Sequence, residues 1–549
     1  MELPQKIEAL LEKRGIHEGE ELEEFLSSRP RKTYDPFLLK NMEAGVDLLL
    51  TAIEEEKKIC IYGDYDCDGI TSSVILAEVL RNLTRNRNLS IHLPSRFTEG
   101  YGLNKKAIQE IYDRGARVLV TVDTGSVDLE EVTFARSLGM EVLVTDHHNI
   151  SDKIADCLVI NPRQPGDPYP FKGLAGCGVA FKLAQALVRE TGLPSAVTTG
   201  ALDLLAIGTI GDVMPLVDEN RTLVKYGLRV LNTRRRRNLD LLVQGSGLTP
   251  GAVTAEDVAF RIVPRLNAAG RMDHAKIACA MFLAKDEARA REGVDRLLQL
   301  NTDRQELQGR LYRACALAAE NEYRGDPFLL IEAPEGGEGV AGIVAGNLKE
   351  TFYKPVCVIS RQKDGTWKGS GRSIDGVDLY ALLKESEDMF LTFGGHKSAC
   401  GFTLRPGLEG VLRDDLNRRA GEIRRRHPDL YVRKIEPDLI LDPQDISLDF
   451  LDAVDLLEPC GQGNPRPSEA VEGFAEDLRA IGKEGKYLSF TARLRGGQRI
   501  RCAVFSRVKE IRKTLDEAAG PVRIIGSLER NEWQGVTRIE MRVAEVQPV

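Results

Sequence analysis

No Cys-x-x-Cys pair occurs in this chain, and its ten cysteines stand singly. Their spacing excludes zinc ribbons and cysteine-held iron–sulfur clusters, and free thiols fit a reducing cytoplasm. No apolar run approaches the ~20 residues that a membrane span needs. Met1 to Gly15 is charged and amphipathic, without the apolar core of a secretory leader. Positive charge is not in excess either: 75 Lys and Arg face 83 Asp and Glu, a formal charge of −8. That argues against a wholesale nucleic-acid coat while leaving room for a local basic groove on an acidic body. Histidine is scarce, with seven in 549 residues. The length itself predicts two to four domains with ample cores.

What is present is an acidic turn between a strand and a helix. Lys58-Ile59-Cys60-Ile61-Tyr62 reads as a buried strand that breaks at Gly63, and Asp64, Asp66 and Asp68 follow before a helical pattern from Ile70. A turn at the carboxyl end of such a strand is where α/β sheets bind ligands. Three crowded carboxylates repel one another unless a cation sits among them; the competing reading is an exposed turn with helix-capping aspartates. Two further strand patterns weigh against that alternative. Ala116–Val122 ends at Asp123, and Met140–Thr145 ends at Asp146-His147-His148, so two of the seven histidines are adjacent there. In a parallel sheet these ends lie side by side. A fourth apolar element, Ala201–Ile210, runs into Gly211-Asp212. Asp66, Asp68, Asp123, His147, His148 and Asp212 make a mixed N/O set large enough for two divalent metals.

These stretches resemble the four signatures of the DHH phosphoesterase superfamily. Beyond them the chain resembles the RecJ family of single-strand-specific 5′-to-3′ DNA exonucleases, in order and over nearly its whole length. The matching segments are Gly63–Gly69, Glu99–Leu103, Gly208–Leu216 with Glu219-Asn220-Arg221, and Pro264–Arg271. Gly394–Gly401 matches the DHHA1 signature, and Glu458–Pro465 resembles a turn particular to that family. Cys67 stands where the family carries alanine and Cys460 where phenylalanine is common; neither change removes a ligand, although a thiol at Cys67 raises the prospect of oxidative sensitivity.

The expected fold is α/β with further parts. Residues 1–50 read as a helical extension, with Ile16–Leu26 amphipathic. Residues 51–270 alternate strand and helix and form a DHH domain with a mainly parallel sheet. Residues 271–326 read as a long helical connector, and 327–427 as a second α/β domain, DHHA1 by resemblance. There Lys368–Ser373 and Gly394–Lys397 read as glycine-flanked turns that expose N–H groups and cations to an anion. Residues 430–549 carry short alternating strands that argue a small barrel, an OB-fold by resemblance. Its arginines could follow a phosphate backbone while Tyr487, Phe490 or Trp533 stacks on bases, with Phe490 the better candidate for the core.

The resemblance also implies roles. Asp66 would hold one metal; Asp68, His147 and Asp212 the other; Asp123 would bridge; His148 would stabilise phosphoryl oxygens; Asp64 and Asp146 would orient ligands from behind. The ions would be two Mn²⁺ or Mg²⁺, with histidine among the ligands favouring manganese. Arg96, at a strand end, is a natural phosphate contact or else a surface arginine. Arg271, Ser370, Arg372 and His396 would bind substrate phosphate, the last three at a 5′ end; His396 as a structural residue is the alternative. Single-stranded DNA would be the substrate, degraded to mononucleotides in DNA repair and recombination, with a single-strand-binding protein and a helicase as partners and no membrane. The rivals are a DHH phosphodiesterase of short oligoribonucleotides or cyclic dinucleotides, a soluble pyrophosphatase, and a replication scaffold without catalysis. The extra barrel argues for a long polymer and the intact ligand set for catalysis. The run Arg234–Arg237 is either a solvated helix end or a backbone-tracking surface.

Overall fold

The computed structural model describes residues 3–84, 88–150, 153–334, 337–533 and 535–549. They form two compact units: residues 1–301 with 438–469 and 527–540, and residues 302–437 with 470–526 and 541–549.

The first unit is built on a five-stranded, all-parallel sheet of β1 (Lys58–Tyr62), β2 (Leu89–His92), β3 (Ala116–Val122), β4 (Glu141–Thr145) and β5 (Leu158–Ile160), in the order β2-β1-β3-β4-β5. Ile59, Ile61, Val118 and Val120 are buried against the helices Cys67–Leu83, Gly176–Thr191 and Leu202–Gly211. Cys60, Tyr62, Leu119 and Val142 are buried on the other face with Ile108 and Val132. Cover on both faces explains why these strands are apolar runs rather than alternating ones. The three strands whose ends carry the acidic and histidine residues, β1, β3 and β4, are neighbours, with Tyr62 opposite Thr121 and Val122 opposite Thr145.

The N-terminal extension contains helices Gln5–Lys13 and Glu20–Leu26, the second shorter than the amphipathic pattern because Gly19 caps it with φ 107°. The arginine run after Asn232 is structural: Arg234 pairs with Asp240, Arg236 with Asp203 and Glu78, and Arg237 with Glu287. The connector pattern resolves into helix Lys276–Leu283 and the long helix Glu287–Asn321, parted where Ala284 turns to extended backbone.

In the second unit a mixed sheet runs in the order β6-β7-β8-β10-β9: β6 (Leu329–Glu332), β7 (Val356–Arg361), β8 (Trp367–Arg372), β9 (Phe390–His396) and β10 (Ala399–Leu404). The two stretches expected as turns are therefore strands, β8 and β9. Glycine does not break β8, because neighbouring side chains occupy the space it leaves: a Cβ on Gly369 would lie 2.2 Å from the Phe402 ring. The last sheet, in the order β11-β12-β13-β14-β16-β15 with a further β12–β15 pairing, comprises Leu439–Ile440, Glu469–Ile481, Tyr487–Leu494, Arg499–Val504, Val522–Trp533 and Val536–Pro548. Phe490 is core, as its alternation predicts. Tyr487 packs edge-on against Phe505, and the side chain of Trp533 lies outside the described residues. Arg493 and Arg499 both pair with Glu476 and Arg523 with Glu472, so much of the expected cationic face is internally neutralised.

Glu469, at the start of β12, is buried without an ionic partner among the described residues. Its Oε2 accepts from the Leu528 N–H at 3.0 Å and its Oε1 has no partner there. Burial pushes its carboxyl up from 4.5 to about 7. Between these values the unfolded chain has released a proton that the folded chain keeps, so this group's contribution to stability is full below pH 4.5 and falls as pH rises through 7. Glu469→Gln, which keeps an acceptor for Leu528, is expected to stabilise the protein by about 3 kcal/mol at pH 8 and to change little at pH 4. Urea unfolding of both proteins at the two pH values checks this.

Candidate metal centre

Each acidic side chain is placed by local chemistry. Asp66 caps the helix Cys67–Leu83, its Oδ1 accepting from the N–H groups of Asp68 and Gly69 at 3.0 and 3.1 Å. The capping alternative is thus true of one oxygen, and Oδ2 takes no part in it. Asp68, 1% exposed, points to the start of helix Gly176–Thr191, where Oδ2 accepts from the Gly176 N–H at 2.7 Å and Oδ1 from Cys177 at 2.8 Å. A helix N-terminus stabilises a buried carboxylate with oriented N–H groups and its positive end. Only glycine fits at 176, since a Cβ there would lie 2.5 Å from Asp123 Oδ1. Asp123 itself has φ +63° and is 1% exposed, a left-handed conformation that aspartate tolerates better than most residues.

Asp146 organises the β4 turn. Its Oδ1 accepts from the backbone N–H groups of His147 and His148 and pairs with His148 Nδ1 at 2.8 Å, while Oδ2 accepts from the Ser126 N–H. Burial opposes its charge, yet His148 and these donors hold the carboxyl well below the usual range. His148 also meets the Tyr101 hydroxyl at 3.1 Å through Nε2. Burial works against its charged form, but Asp146 prevails and raises it to about 9. His147 differs: burial pulls it down to about 4.

Three carboxylates from three segments converge on His147. Asp123 Oδ1, Asp212 Oδ2 and Asp68 Oδ2 lie 3.1, 3.5 and 3.8 Å from its Nε2. Asp64, Asp66 and Asp123 form a second group, and Asp123, His147 and His148 a third, each with ligand atoms within 4.8 Å of one another. Asp212 follows the C-terminus of helix Leu202–Gly211 rather than a strand. Burial and then neighbouring carboxylates push Asp64 and Asp212 to about 8 and raise Asp123 well above its ordinary value. Asp64 Oδ1, Asp123 Oδ1 and both ring nitrogens of His147 are buried without hydrogen-bond partners among the described residues. Orphaned acceptors in a crowd of like charges are what divalent cations relieve, so the donor set fits oxygen- and imidazole-binding metals.

Sequence reasoning missed several supports. Asn267 Oδ1 accepts from the Cys67 N–H at 2.7 Å, fixing the acidic turn from a distant helix, and Tyr101 holds His148. The glycine-rich lead into helix Gly176–Thr191 was the available signal for the Asp68 cradle. Arg96 stacks over the Tyr65 ring at 4.0 Å beside the turn, with Nε unpartnered among the described residues. Arg271 lies in helix Val263–Met272, whose Gly270 abuts the Tyr65 carbonyl.

Ser370, Arg372 and His396 belong to the second unit. Arg372, Ala399 and His396 are in register across β8, β10 and β9. Residues in register share a face, and strands ~4.8 Å apart separate Arg372 from His396 by about 10 Å. Ser370 Oγ and Arg372 Nη2 both approach Gly342, in the first turn of helix Ala341–Phe352. Burial lowers the pKa of Arg372.

Cys67 is not placed as a reactive thiol. It is 1% exposed, its Sγ faces the Ile207 carbonyl, and burial followed by Asp66 raises its pKa well above 9.0. Thiolate is the reactive form. Native iodoacetamide treatment is therefore expected to leave Cys67 unlabelled by mass spectrometry.

A model of the DHH family N-terminal domain matches residues 58–209, one of the DHHA1 domain 326–422, and one of the RecJ OB domain 437–545. The chain is 35% identical to the single-stranded-DNA-specific exonuclease RecJ of Bacillus subtilis over 545 residues, 98% of this chain and 67% of that protein. The crystal structure of RecJ with Mn²⁺ from Thermus thermophilus superposes with a TM-score of 0.84 at 31% identity, covering 100% of this chain and 76% of the other. The Mg²⁺ complex from that organism gives 0.78 at 30% identity, covering 100% and 75%.

Proposed function

The chain belongs to the RecJ family, and from that membership we propose that it is a metal-dependent exonuclease degrading single-stranded DNA from the 5′ end to mononucleotides. The observation that carries the reading is the convergence of Asp68, Asp123 and Asp212 on one buried imidazole beside Asp64 and Asp66. In this proposal Asp66 would hold one ion and Asp68, His147 and Asp212 the other, with Asp123 available to both. Two bound Mn²⁺ or Mg²⁺ ions supply Lewis acidity to the phosphoryl oxygens and make water a stronger nucleophile at neutral pH.

The remaining residues do ordinary electrostatic work. His148, tied to Asp146 through Nδ1 and less buried than His147, turns its Nε2 from the Tyr101 hydroxyl to donate to a non-bridging oxygen and offset the charge that builds there. Asp146 fixes the orientation of that ring, and Asp64 supports the turn that carries Asp66 and Asp68. Arg96 and Arg271 are phosphate contacts next to Tyr65. Ser370, Arg372 and His396 form an anion site on their own sheet, suited to a terminal phosphate. We extend the reading to the five-part division of the chain, a cytoplasmic location, a role in DNA repair and recombination, and dependence on a helicase and a single-strand-binding protein, since a single-strand enzyme needs its substrate unpaired. No helix among the described residues is long and apolar enough to cross a membrane.

End-labelled single- and double-stranded DNA, incubated with Mn²⁺ and with EDTA, tests the proposal. Release of mononucleotides from the 5′ end of single strands, abolished by EDTA, is expected. Preference for dinucleotides over long 5′-phosphorylated strands would overturn it in favour of a short-oligonucleotide phosphodiesterase.

A further inference from the structure

The helix that carries Asn267 and Arg271 is preceded by an irregular segment. Residues Val258–Ile262 form a π-helical turn that runs directly into Val263–Met272. Such turns are rare and recur at functional sites. This one presents Phe260 to solvent at 74% exposure, more than any other large apolar side chain among the described residues. Arg261 follows it on the surface, and Arg265 reaches back to donate to the Arg261 carbonyl. Arg265 Nε is buried without a partner, and among the described residues neither arginine pairs with a carboxylate. This contrasts with the Arg234–Arg237 run, where three of the four cations are paired.

The turn also has an address. Val263 lies 3.3 Å from where a Cβ on Gly211 would sit, next to Asp212, and ten residues after Phe260 the same helix meets Tyr65 through Gly270. At ~1.5 Å per residue, the backbone that carries the exposed ring stands about 15 Å along the axis from that end of the helix. An acidic protein repels a polyanion, so a strand held beside this carboxylate cluster needs local cations, and an exposed ring invites an unpaired base. A duplex, with its bases already stacked, offers nothing to that ring.

We infer that the Val258–Ile262 turn is a platform for the single strand beside the metal centre, with Phe260 stacking on a base and Arg261 and Arg265 neutralising the flanking phosphates. The inference rests on the exonuclease reading and adds a specificity-determining surface to it.

Anisotropy of a labelled, 5′-phosphorylated oligothymidylate, measured on the full-length protein in EDTA, tests it. Phe260→Ala is expected to weaken binding about tenfold and Phe260→Trp to restore it. The double variant Arg261→Gln, Arg265→Gln is expected to flatten the slope of log affinity against log salt by about 1.4. Equal affinity of wild type and Phe260→Ala, as a protein-docking role for this face would give, overturns the inference, and so does failure of tryptophan to restore binding. Wild-type protein that neither binds nor digests single strands would bring down the exonuclease reading and this inference together. Wild-type digestion with an unaffected Phe260→Ala would sink the platform alone.

Discussion

Asp123→Asn is expected to reduce hydrolysis by about a thousandfold or more, because metal-borne charge stabilisation is worth several kcal/mol at the transition state. The same change is expected to raise the stability of the metal-free protein by about 1–3 kcal/mol. Both effects have one cause. Asp123 is 1% exposed, and burial followed by repulsion from Asp68, Asp66, Asp64 and Asp212 disfavours its charge. Asparagine removes that cost, keeps the shape, and is among the residues that tolerate φ +63°. Added Mn²⁺ should then reverse the order: the wild type gains stability by mass action as its carboxylates take up metal, while the variant gains less. Melting curves in EDTA and across a manganese titration check both halves. A variant no more stable than wild type in EDTA would mean that the carboxylates do not strain against one another, and the argument for a cation trap would fail.

The part of this centre legible in the sequence follows from one rule: parallel strands present their carboxyl ends on one side. That rule brings the acidic turn after Tyr62 to Asp123 and Asp146-His147-His148, and β1, β3 and β4 are indeed adjacent. It does not cover Asp212, which the sequence offers as the carboxylate after a fourth apolar element and a helix end delivers, and it says nothing of Asn267, whose amide oxygen reaches the Cys67 N–H across 200 residues of sequence. Partner choice was equally hidden. Arg234, Arg236 and Arg237 read as a cationic run but find carboxylates from four different segments, and Glu476 neutralises two barrel arginines. Glycine misled in the second unit because its usual meaning, a turn, assumes that nothing fills the missing side chain. At Gly369 the Phe402 ring does.

Arg221→Ala is expected to destabilise the protein by about 4 kcal/mol, without any direct effect on the metal ligands. The guanidinium is 4% exposed and, among the described residues, has no carboxylate hydrogen bond; it serves carbonyls instead. Nη1 donates to Leu457 O at 2.8 Å and Pro459 O at 3.3 Å, and Nη2 to Glu458 O at 3.0 Å and Leu456 O at 3.3 Å. Nε and Nη2 also reach Phe25 O, and Cζ lies 3.8 Å from the Phe25 ring centroid. The carbonyls at 456–459 directly follow helix Leu448–Asp455, where a helix leaves acceptors without internal partners. One side chain from the Asp218–Asn232 helix therefore ties down both the N-terminal extension and the segment after residue 448. Burial pulls its pKa only to about 10, so the charge persists at neutral pH. Alanine leaves several buried carbonyls unsatisfied at once. Lysine should rescue little, because a single ammonium cannot reproduce the planar fan of donors. Urea unfolding gives the magnitude, and limited proteolysis reads the location, with new cleavage expected between residues 430 and 470. The sequence shows Glu219-Asn220-Arg221 and Glu458-Pro459-Cys460 as two separate motifs more than two hundred residues apart. A loss below about 1 kcal/mol would mean that water replaces the guanidinium, and that the two motifs do not hold each other in place.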